Sequence, residues 1–246
     1  MSWKLLAAGL AAYAIVLVAT LPATVVDANL RSASDGRLRL AQAQGTLWSG
    51  SGQLEIRDAG GRSGVARSIA WRVLPASLLR GRLACEVELD QAAKRFPVTI
   101  SLSGVELADA DINLPVAAMG LMVPKLAPLE LTGEMRIHIA NVAVGRNGMR
   151  GNAVLQWRAA GSALATVAPL GDYELLVDGK DAAIGATLRT LQGPLQLDGK
   201  GTWNYGDKPV IVATARIPPQ YQQQLAPLLR LIAIERGDGS FELQLK

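Results

Sequence analysis

Few side chains in this sequence could carry out catalysis. His138 is the only histidine among the 246 residues, and it stands between Ile137 and Ile139 in an alternating pattern that predicts a strand. Successive side chains on a strand point to opposite faces, so we expect His138 on the solvent side. With no second histidine and no carboxylate placed beside it, we interpret His138 as a surface residue and not as a general base.

The other reactive candidates are Cys85 and the pair Asp109 and Asp111. Cys85 is the only cysteine and cannot form an internal disulfide. Its alternating neighbours place it on the apolar face of a strand, where structural cysteines lie. Asp109 and Asp111 would share one face of an extended segment and could contact Ca²⁺, but no other oxygen ligands are identifiable nearby. We therefore interpret the two aspartates as solvated.

Longer functional motifs are missing from the sequence as well. It has no glycine-rich phosphate loop, no Gly-x-Ser-x-Gly nucleophile motif and no metal-spaced cluster of Cys and His. Its 25 basic and 21 acidic residues are interleaved, without a basic run that could follow a phosphate backbone. We predict that the protein is not an enzyme and has no metal, no cofactor and no nucleic-acid partner.

Strands must position whatever surface the protein uses. Between residues 82 and 90, apolar side chains alternate with charged ones, which predicts a half-buried strand. The same period of two returns later, in Val98, Ile100 and Leu102, in Leu129, Leu131, Met135, Ile137 and Ile139, in Tyr173, Leu175 and Val177, and in Phe241, Leu243 and Leu245. Turn residues at 58–61 and at 147–148 separate such runs. The pattern predicts an all-β fold with twisted antiparallel sheets.

Helical signals are few in the β region. Residues 75–79 fit a single turn, and only residues 219–231 could form a longer helix. Pro227 lies inside that segment and lacks the amide hydrogen that a helix interior uses, so we expect it to break or restart the helix. One short C-terminal helix is therefore predicted beside the sheets.

The N-terminal segment differs in character from the rest. Residues 5–26 contain no charge, and 22 residues of helix would be about 33 Å long, enough for a bilayer core of about 30 Å. A cleaved signal peptide is the alternative, with Lys4 as its basic region and a cut after Ala28. Asp27 beside that cut and the length of the stretch favour an anchor. We expect residues 1–4 in the cytoplasm, a transmembrane anchor at 5–26 and a periplasmic β domain at 27–246.

Two stretches of the β region share an order of features. Trp71 and Trp157 each lie near the end of a strand, and each is followed by a crossover, then by Gly81 or Gly171, then by a new strand. This order predicts an internal repeat at about 45–107 and 129–191, giving two related β units.

The most distinctive string is Gly45-Thr-Leu-Trp48-Ser-Gly50. Its tryptophan fits either a core position, where glycines let backbones approach, or a binding hot spot, and both interpretations stay open. The candidate structural motif residues are Gly45, Trp48, Gly50, Trp71, Gly81, Trp157 and Gly171.

In this order, these residues resemble a known family. The chain is similar to type II secretion system protein N in the order of several short pieces. These pieces are the string at 45–50, residues 70–72, Pro75 and residues 78–83, then Trp157, residues 170–173 and 193–195, and a Pro-rich helix before a Gly-Asp-Gly turn. The resemblance implies an accessory inner-membrane component of the general secretion pathway, a scaffold or assembly factor, that has other secretion components as partners and assists export of folded periplasmic proteins. It implies no functional residues. A looser resemblance to AsmA-like periplasmic proteins implies a groove that binds lipid or another hydrophobic ligand.

Overall fold

The structure, a computed structural model, describes residues 3–57, 64–90, 94–118, 128–236 and 239–245. The chain divides into two compact units, residues 1–95 and residues 96–246. The turn predicted at 58–61 lies outside the described residues.

Two helices precede the first strand. Helix α1 is Trp3–Ala19 and helix α2 is Thr24–Ala33. The 22-residue segment predicted as one helix is therefore divided, because the residue before Pro22 disfavours helical backbone and Pro22 itself forms a β-bridge with Thr46. Among the described residues, none of the helices combines the length and the apolar character needed to cross a membrane.

The first unit contains an antiparallel sheet in sequence order. Its strands are β1 (Leu38–Gly45), β2 (Ser49–Arg57), β3 (Gly64–Leu74) and β4 (Arg82–Leu89). A 3₁₀ turn, Pro75–Arg80, joins β3 to β4, as predicted for a single turn there. Leu40, Ile56 and Val73 are buried on one face. The alternation predicted for residues 82–90 is confirmed as strand β4.

The second unit contains a larger antiparallel sheet. Its strands are β5 (Phe96–Ser101), β6 (Gly104–Pro115), β7 (Leu131–Gly145), β8 (Gly148–Ser162), β9 (Gly171–Asp181), β10 (Ala183–Gln192), β11 (Gln196–Asn204), β12 (Ile211–Arg216), β13 (Ile234–Glu235) and β14 (Phe241–Leu245). Neighbours in sequence pair from β5 to β12, and β14 then lies between β12 and β13. The predicted all-β character is confirmed.

Hairpin turns set the ends of several strands. Gly145 pairs with Gly148, so the predicted turn falls at residues 146–147, and β8 begins at Gly148. Leu102 was expected on a strand but lies in the turn between β5 and β6, where it is 92% exposed. The reason is that Ser101 pairs with Gly104, which closes the hairpin around Leu102.

A 3₁₀ turn, Pro219–Tyr221, leads into helix α3, which is Gln222–Ile232. The expectation that Pro227 would break this helix is wrong. The Pro227 side chain is exposed, so water can reach the carbonyl group that loses its hydrogen bond, while Leu225, Leu228 and Leu229 are buried against the sheet. Burial of this apolar face stabilises the helix across the proline.

One bulge bends the longest strands of the second unit. The pairing of β7 with β8 shifts between Ile139 and Asn141, which leaves Ala140 as an extra residue. Gly151 pairs with Val142 beside this bulge and has a φ of +105°. A bulge of this kind increases the local twist of the two strands. Only glycine adopts a φ like that of Gly151 without strain.

Candidate functional site

An apolar cluster fills one end of the second unit, between helix α3 and the sheet. Leu225 and Leu229 of α3 are almost fully buried. They belong to one cluster with Leu170, Leu195, Ala215, Ile217, Leu228 and Phe241. Ala215 of β12 pairs with Phe241 of β14, and Ile217 follows two positions after Ala215, so the period of two brings them to one face. Leu170 and Leu195 directly precede β9 and β11.

A cavity of about 350 Å³ opens beside this cluster. Its walls come from one face of β7 to β11, from β14 and from α3, and they are lined mainly by leucine, including Leu131, Leu155, Leu175, Leu188, Leu197, Leu228 and Leu243. Ligand pockets typically have volumes of about 300–1,000 Å³ and largely apolar walls. The cavity is therefore large enough for an apolar group from another molecule.

Three of the described residues that line the cavity carry a polar side-chain group, and each of these groups has a partner. Ser162 Oγ donates to the carbonyl of Leu129 (2.5 Å), and the hydroxyl of Tyr173 donates to the carbonyl of Leu195 (2.9 Å). The indole Nε1 of Trp157 donates to the carbonyl of Thr132 (3.0 Å). Burial raises the pKa of Tyr173, so this hydroxyl stays protonated at neutral pH. Its described walls can bind an apolar group, and no carboxylate, imidazole or basic side chain is among the residues that form them.

Trp157, one of the predicted motif residues, lines this cavity, and Gly171, another, follows the lining residue Leu170 in the chain. The Trp157 ring contacts the Tyr173 ring, with centroids 5.9 Å apart. A Cβ on Gly171 would lie 2.8 Å from the carbonyl oxygen of Gln192 and 2.9 Å from the Tyr173 hydroxyl. Gly171 therefore lets Tyr173 reach its backbone acceptor.

The motif residues of the first unit lie together at one end of its sheet. The Trp71 ring packs on Gly50, where a Cβ would come within 2.5 Å of the ring, and Trp71 Nε1 donates to the carbonyl of Leu47 (3.0 Å). Gly45 has a φ of +88°, which the turn into β2 requires. The aromatic ring held on the glycine motif is thus that of Trp71, a pairing the sequence alone did not indicate.

Trp48 makes a different contact, with the end of helix α1. Its Nε1 donates to the carbonyl of Val18 (2.8 Å), one of the last carbonyls of the helix, which lack a helical partner. The backbone of the same motif continues the connection, since the amide of Leu47 donates to the carbonyl of Leu21 (2.8 Å). The motif at 45–50 therefore joins the N-terminal segment to the sheet.

Trp71 and Trp157 make comparable hydrogen bonds within their own units. Both rings are half-buried. The Trp71 indole donates to a carbonyl just before strand β2, and the Trp157 indole donates to a carbonyl at the start of strand β7. Gly81 follows the 3₁₀ turn with a φ of +68°, the left-handed conformation that ends such turns. The internal repeat at about 45–107 and 129–191 stays a prediction.

The candidates for chemistry are dispersed. His138 is exposed, and its Nδ1 lies 2.7 Å from Asp111 Oδ1 on the neighbouring strand, a carboxylate that sequence reasoning did not place beside it. Cys85 is half-buried, and burial raises the pKa of its thiol. Asp109 and Asp111 are both exposed. Within the described residues, no group of three or more His, Cys, Asp or Glu side chains could hold a metal ion.

Both outermost strands carry partial cover. Helix α2 lies along β1, and Asp27 Oδ1 accepts a hydrogen bond from the amide of Leu40 (2.7 Å). At the other end of the order, the two-residue strand β13 pairs with Phe241 and Glu242 of β14. Short edge strands and covering helices are common ways to prevent strand addition. The apolar cavity is therefore a better candidate site than either edge.

The outer face of the second unit supports a prediction about pH. Gln156 Nε2 donates to Glu174 (3.0 Å), and Arg189 Nε donates to its other oxygen (2.8 Å). The hydrogen bond from Gln156, with that of Arg189, lowers the pKa of Glu174 below 4.5. Because its pKa is lowered in the folded state, ionised Glu174 stabilises the folded protein at pH values above 4.5. This contribution is lost as the pH falls below 4.5 and the carboxylate is protonated.

We therefore expect the free energy of unfolding to fall more steeply below pH 4.5 in the wild type than in Glu174→Gln, with a difference of up to about 1 kcal/mol. Urea denaturation across this range measures it. Parallel pH profiles of the two proteins would contradict the role of Glu174.

Comparison with known proteins places this fold in a family. No curated protein and no solved structure is similar enough to count as a match. A family model does match, described as type II secretion system (T2SS), protein N, and it aligns with residues 36–244. The match covers most of the chain, including the strands of both units and helix α3, and the chain therefore belongs to the type II secretion system protein N family and is a component of that secretion system.

Proposed function

We propose that the protein is a non-catalytic accessory component that assists export of folded periplasmic proteins by binding other components of the type II secretion system. The cavity beside α3 is the observation that supports binding. Its walls are apolar, and its hydroxyl and indole groups donate to backbone carbonyls of the same chain. An apolar side chain or segment of a partner is the occupant that such walls favour.

We further propose that α1 holds the protein in the inner membrane, with its N-terminal end toward the cytoplasm and the chain that follows it in the periplasm. Support comes from the large apolar side chains of α1, such as Leu5, Leu6 and Leu10, which are exposed to solvent. The hydrogen bonds of Leu21 and Asp27 to the first sheet favour an uncleaved segment, because cleavage after Ala28 would remove both.

A second candidate function is the binding of a lipid or another hydrophobic ligand. The same cavity favours it, since a hydrocarbon chain fits a space whose described walls are apolar and whose hydroxyl and indole donors already have partners. The two functions differ in the occupant: a neighbouring protein for the scaffold, a lipid chain for the alternative.

Photocrosslinking in cells distinguishes them. A photoreactive amino acid in place of Leu188 would lie at the cavity, and one in place of its neighbour Thr187, exposed on the opposite face, is the matched control. We expect the probe at 188 to capture another secretion component more strongly than the probe at 187. Phospholipid captured at 188 instead would favour the second function. Capture of neither, with hydrolase activity that persists through repurification, would refute both.

A further inference from the structure

A separate apolar surface lies in the first unit, on the 3₁₀ turn between β3 and β4. Leu78 and Leu79 of this turn are exposed, and Leu79 leaves 91% of its surface in solvent. Leu74, the last residue of β3, is also exposed. A single exposed leucine is ordinary, but three within six residues form an apolar patch that indicates a contact site. We call Leu74, Leu78 and Leu79 the Leu79 patch.

Internal hydrogen bonds hold the turn that carries the patch. Ser77 Oγ donates to the carbonyl of Leu74 (2.6 Å) and accepts from the amide of Ala84 on β4 (2.9 Å). The amide of Gly81 donates to the carbonyl of Leu78 (3.0 Å). The leucines are therefore presented by a defined turn that is joined to the sheet on both sides.

Positive charge adjoins the patch. Arg80 follows Leu79 directly, and Arg82 lies two positions further along the chain. Both are exposed, and neither forms an ion pair with any other described residue. Exposed leucines beside arginines are typical of surfaces that enter the headgroup region of anionic bilayers. The chemistry of the patch therefore fits an anionic membrane surface.

The patch lies near the end of helix α1. Trp48 donates from its indole to the carbonyl of Val18 in the last turn of α1, and its own carbonyl accepts from the amide of Val73 (2.7 Å). Val73 precedes Leu74 in the chain, so one tryptophan links the end of α1 to the strand end that carries the patch. Tryptophan at a helix end is also common at membrane interfaces.

We propose that the Leu79 patch rests in the headgroup region of the anionic inner membrane, beside the point where α1 leaves the bilayer. This rests on the proposed insertion of α1. The first unit would then contact the membrane at two places, the helix and the patch.

Fluorescence in lipid nanodiscs tests the proposal on the full chain. Cys85→Ala removes the native thiol, and single cysteines are introduced by Leu79→Cys, Leu10→Cys or Leu102→Cys and labelled with an environment-sensitive dye. Leu102 is the matched control, since it is 92% exposed and lies on a turn of the second unit. The discs contain phosphatidylethanolamine and phosphatidylglycerol, with nitroxide groups either near the headgroup or deep in the acyl chain.

We expect headgroup nitroxides to quench the dye at 79, acyl-chain nitroxides to quench the dye at 10, and neither to quench the dye at 102. A dye at 79 that behaves like the one at 102, while position 10 is quenched, would overturn the patch proposal and leave the insertion of α1 standing. An unquenched dye at 10 would overturn insertion and the patch proposal with it. Burial of position 79 only after other secretion components are added would identify a protein partner and overturn the lipid assignment.

The arginines give an independent readout. In the labelled chain, Arg80→Gln with Arg82→Gln should weaken the headgroup contact of position 79 by about five-fold for each arginine, in anionic discs only. Discs of phosphatidylcholine should show no difference between the two proteins. Equal quenching in anionic discs would contradict electrostatic attraction at the patch.

Discussion

Replacement of Leu225 by alanine should destabilise the second unit by about 3–5 kcal/mol. Leu225 is fully buried in the cluster between α3 and the sheet. Leucine-to-alanine changes in a core remove the transfer free energy of the lost methyl groups and leave a cavity, which together cost about 2–5 kcal/mol. The upper part of that range applies because the cluster around Leu225, which includes buried residues of β12 and β14, leaves little room for the site to collapse.

Gln223→Ala is the matched control, since Gln223 lies on the exposed side of the same helix. It should change the free energy of unfolding by no more than about 0.5 kcal/mol. Urea denaturation gives the free energies, and hydrogen exchange of the β12 and β14 amides assigns the loss to the second unit. Equal stability of the two variants would show that α3 does not pack against the sheet in solution.

Gly151→Ala should destabilise the second unit by about 2–5 kcal/mol. The φ of Gly151 is +105°. A Cβ there would overlap the carbonyl oxygen of Asn141, at a separation that real Cβ atoms do not show. A left-handed backbone costs a residue with a Cβ about 1–2 kcal/mol, and overpacking adds about 1–3 kcal/mol. Relief would require the β7 bulge to move.

Gly185→Ala on β10 is the control, because its Cβ would meet only one atom within 4 Å, the Asp178 carbonyl oxygen at 3.8 Å. This change should be neutral or stabilise the protein by up to about 1 kcal/mol, since alanine reduces the entropy of the unfolded chain. Thermal unfolding of both variants measures the difference. Similar midpoints would mean that the strand pair tolerates a Cβ at the bulge.

The strands could be predicted from sequence because their signal is local. On β4 and β9 the alternation shows which side chains share a face. The register of the hairpins β7–β8 and β9–β10 then follows from their short turns. The helix at α3 was also visible, but Pro227 misled the prediction because propensity does not register the burial of Leu225 and Leu229. Local sequence propensity therefore fails to predict a helix whose continuation depends on tertiary packing.

The cavity and the contacts of Trp48 were not predictable in the same way. Each strand contributes a single leucine to the described walls of the cavity, so no stretch of sequence marks it. The Trp48 indole bonds to Val18, 30 residues earlier, and Asp111 meets His138 across 27 residues of chain. These pairs depend on the strand register and on the turn after α1, neither of which a motif encodes.

The strand order carries a consequence for how the chain folds. Within each unit, strands pair with their neighbours in sequence from β1 to β4 and from β5 to β12, so most contacts close short loops and the entropy cost of forming them is low. Each hairpin can add to an edge that already exists, in the order in which the chain is synthesised. Strand β14 is the exception, because it must enter between β12 and β13. The C-terminal residues therefore complete the sheet beside α3 last, and a chain shortened before Phe241 would keep its early hairpins while it loses the wall of the cavity that Leu243 supplies.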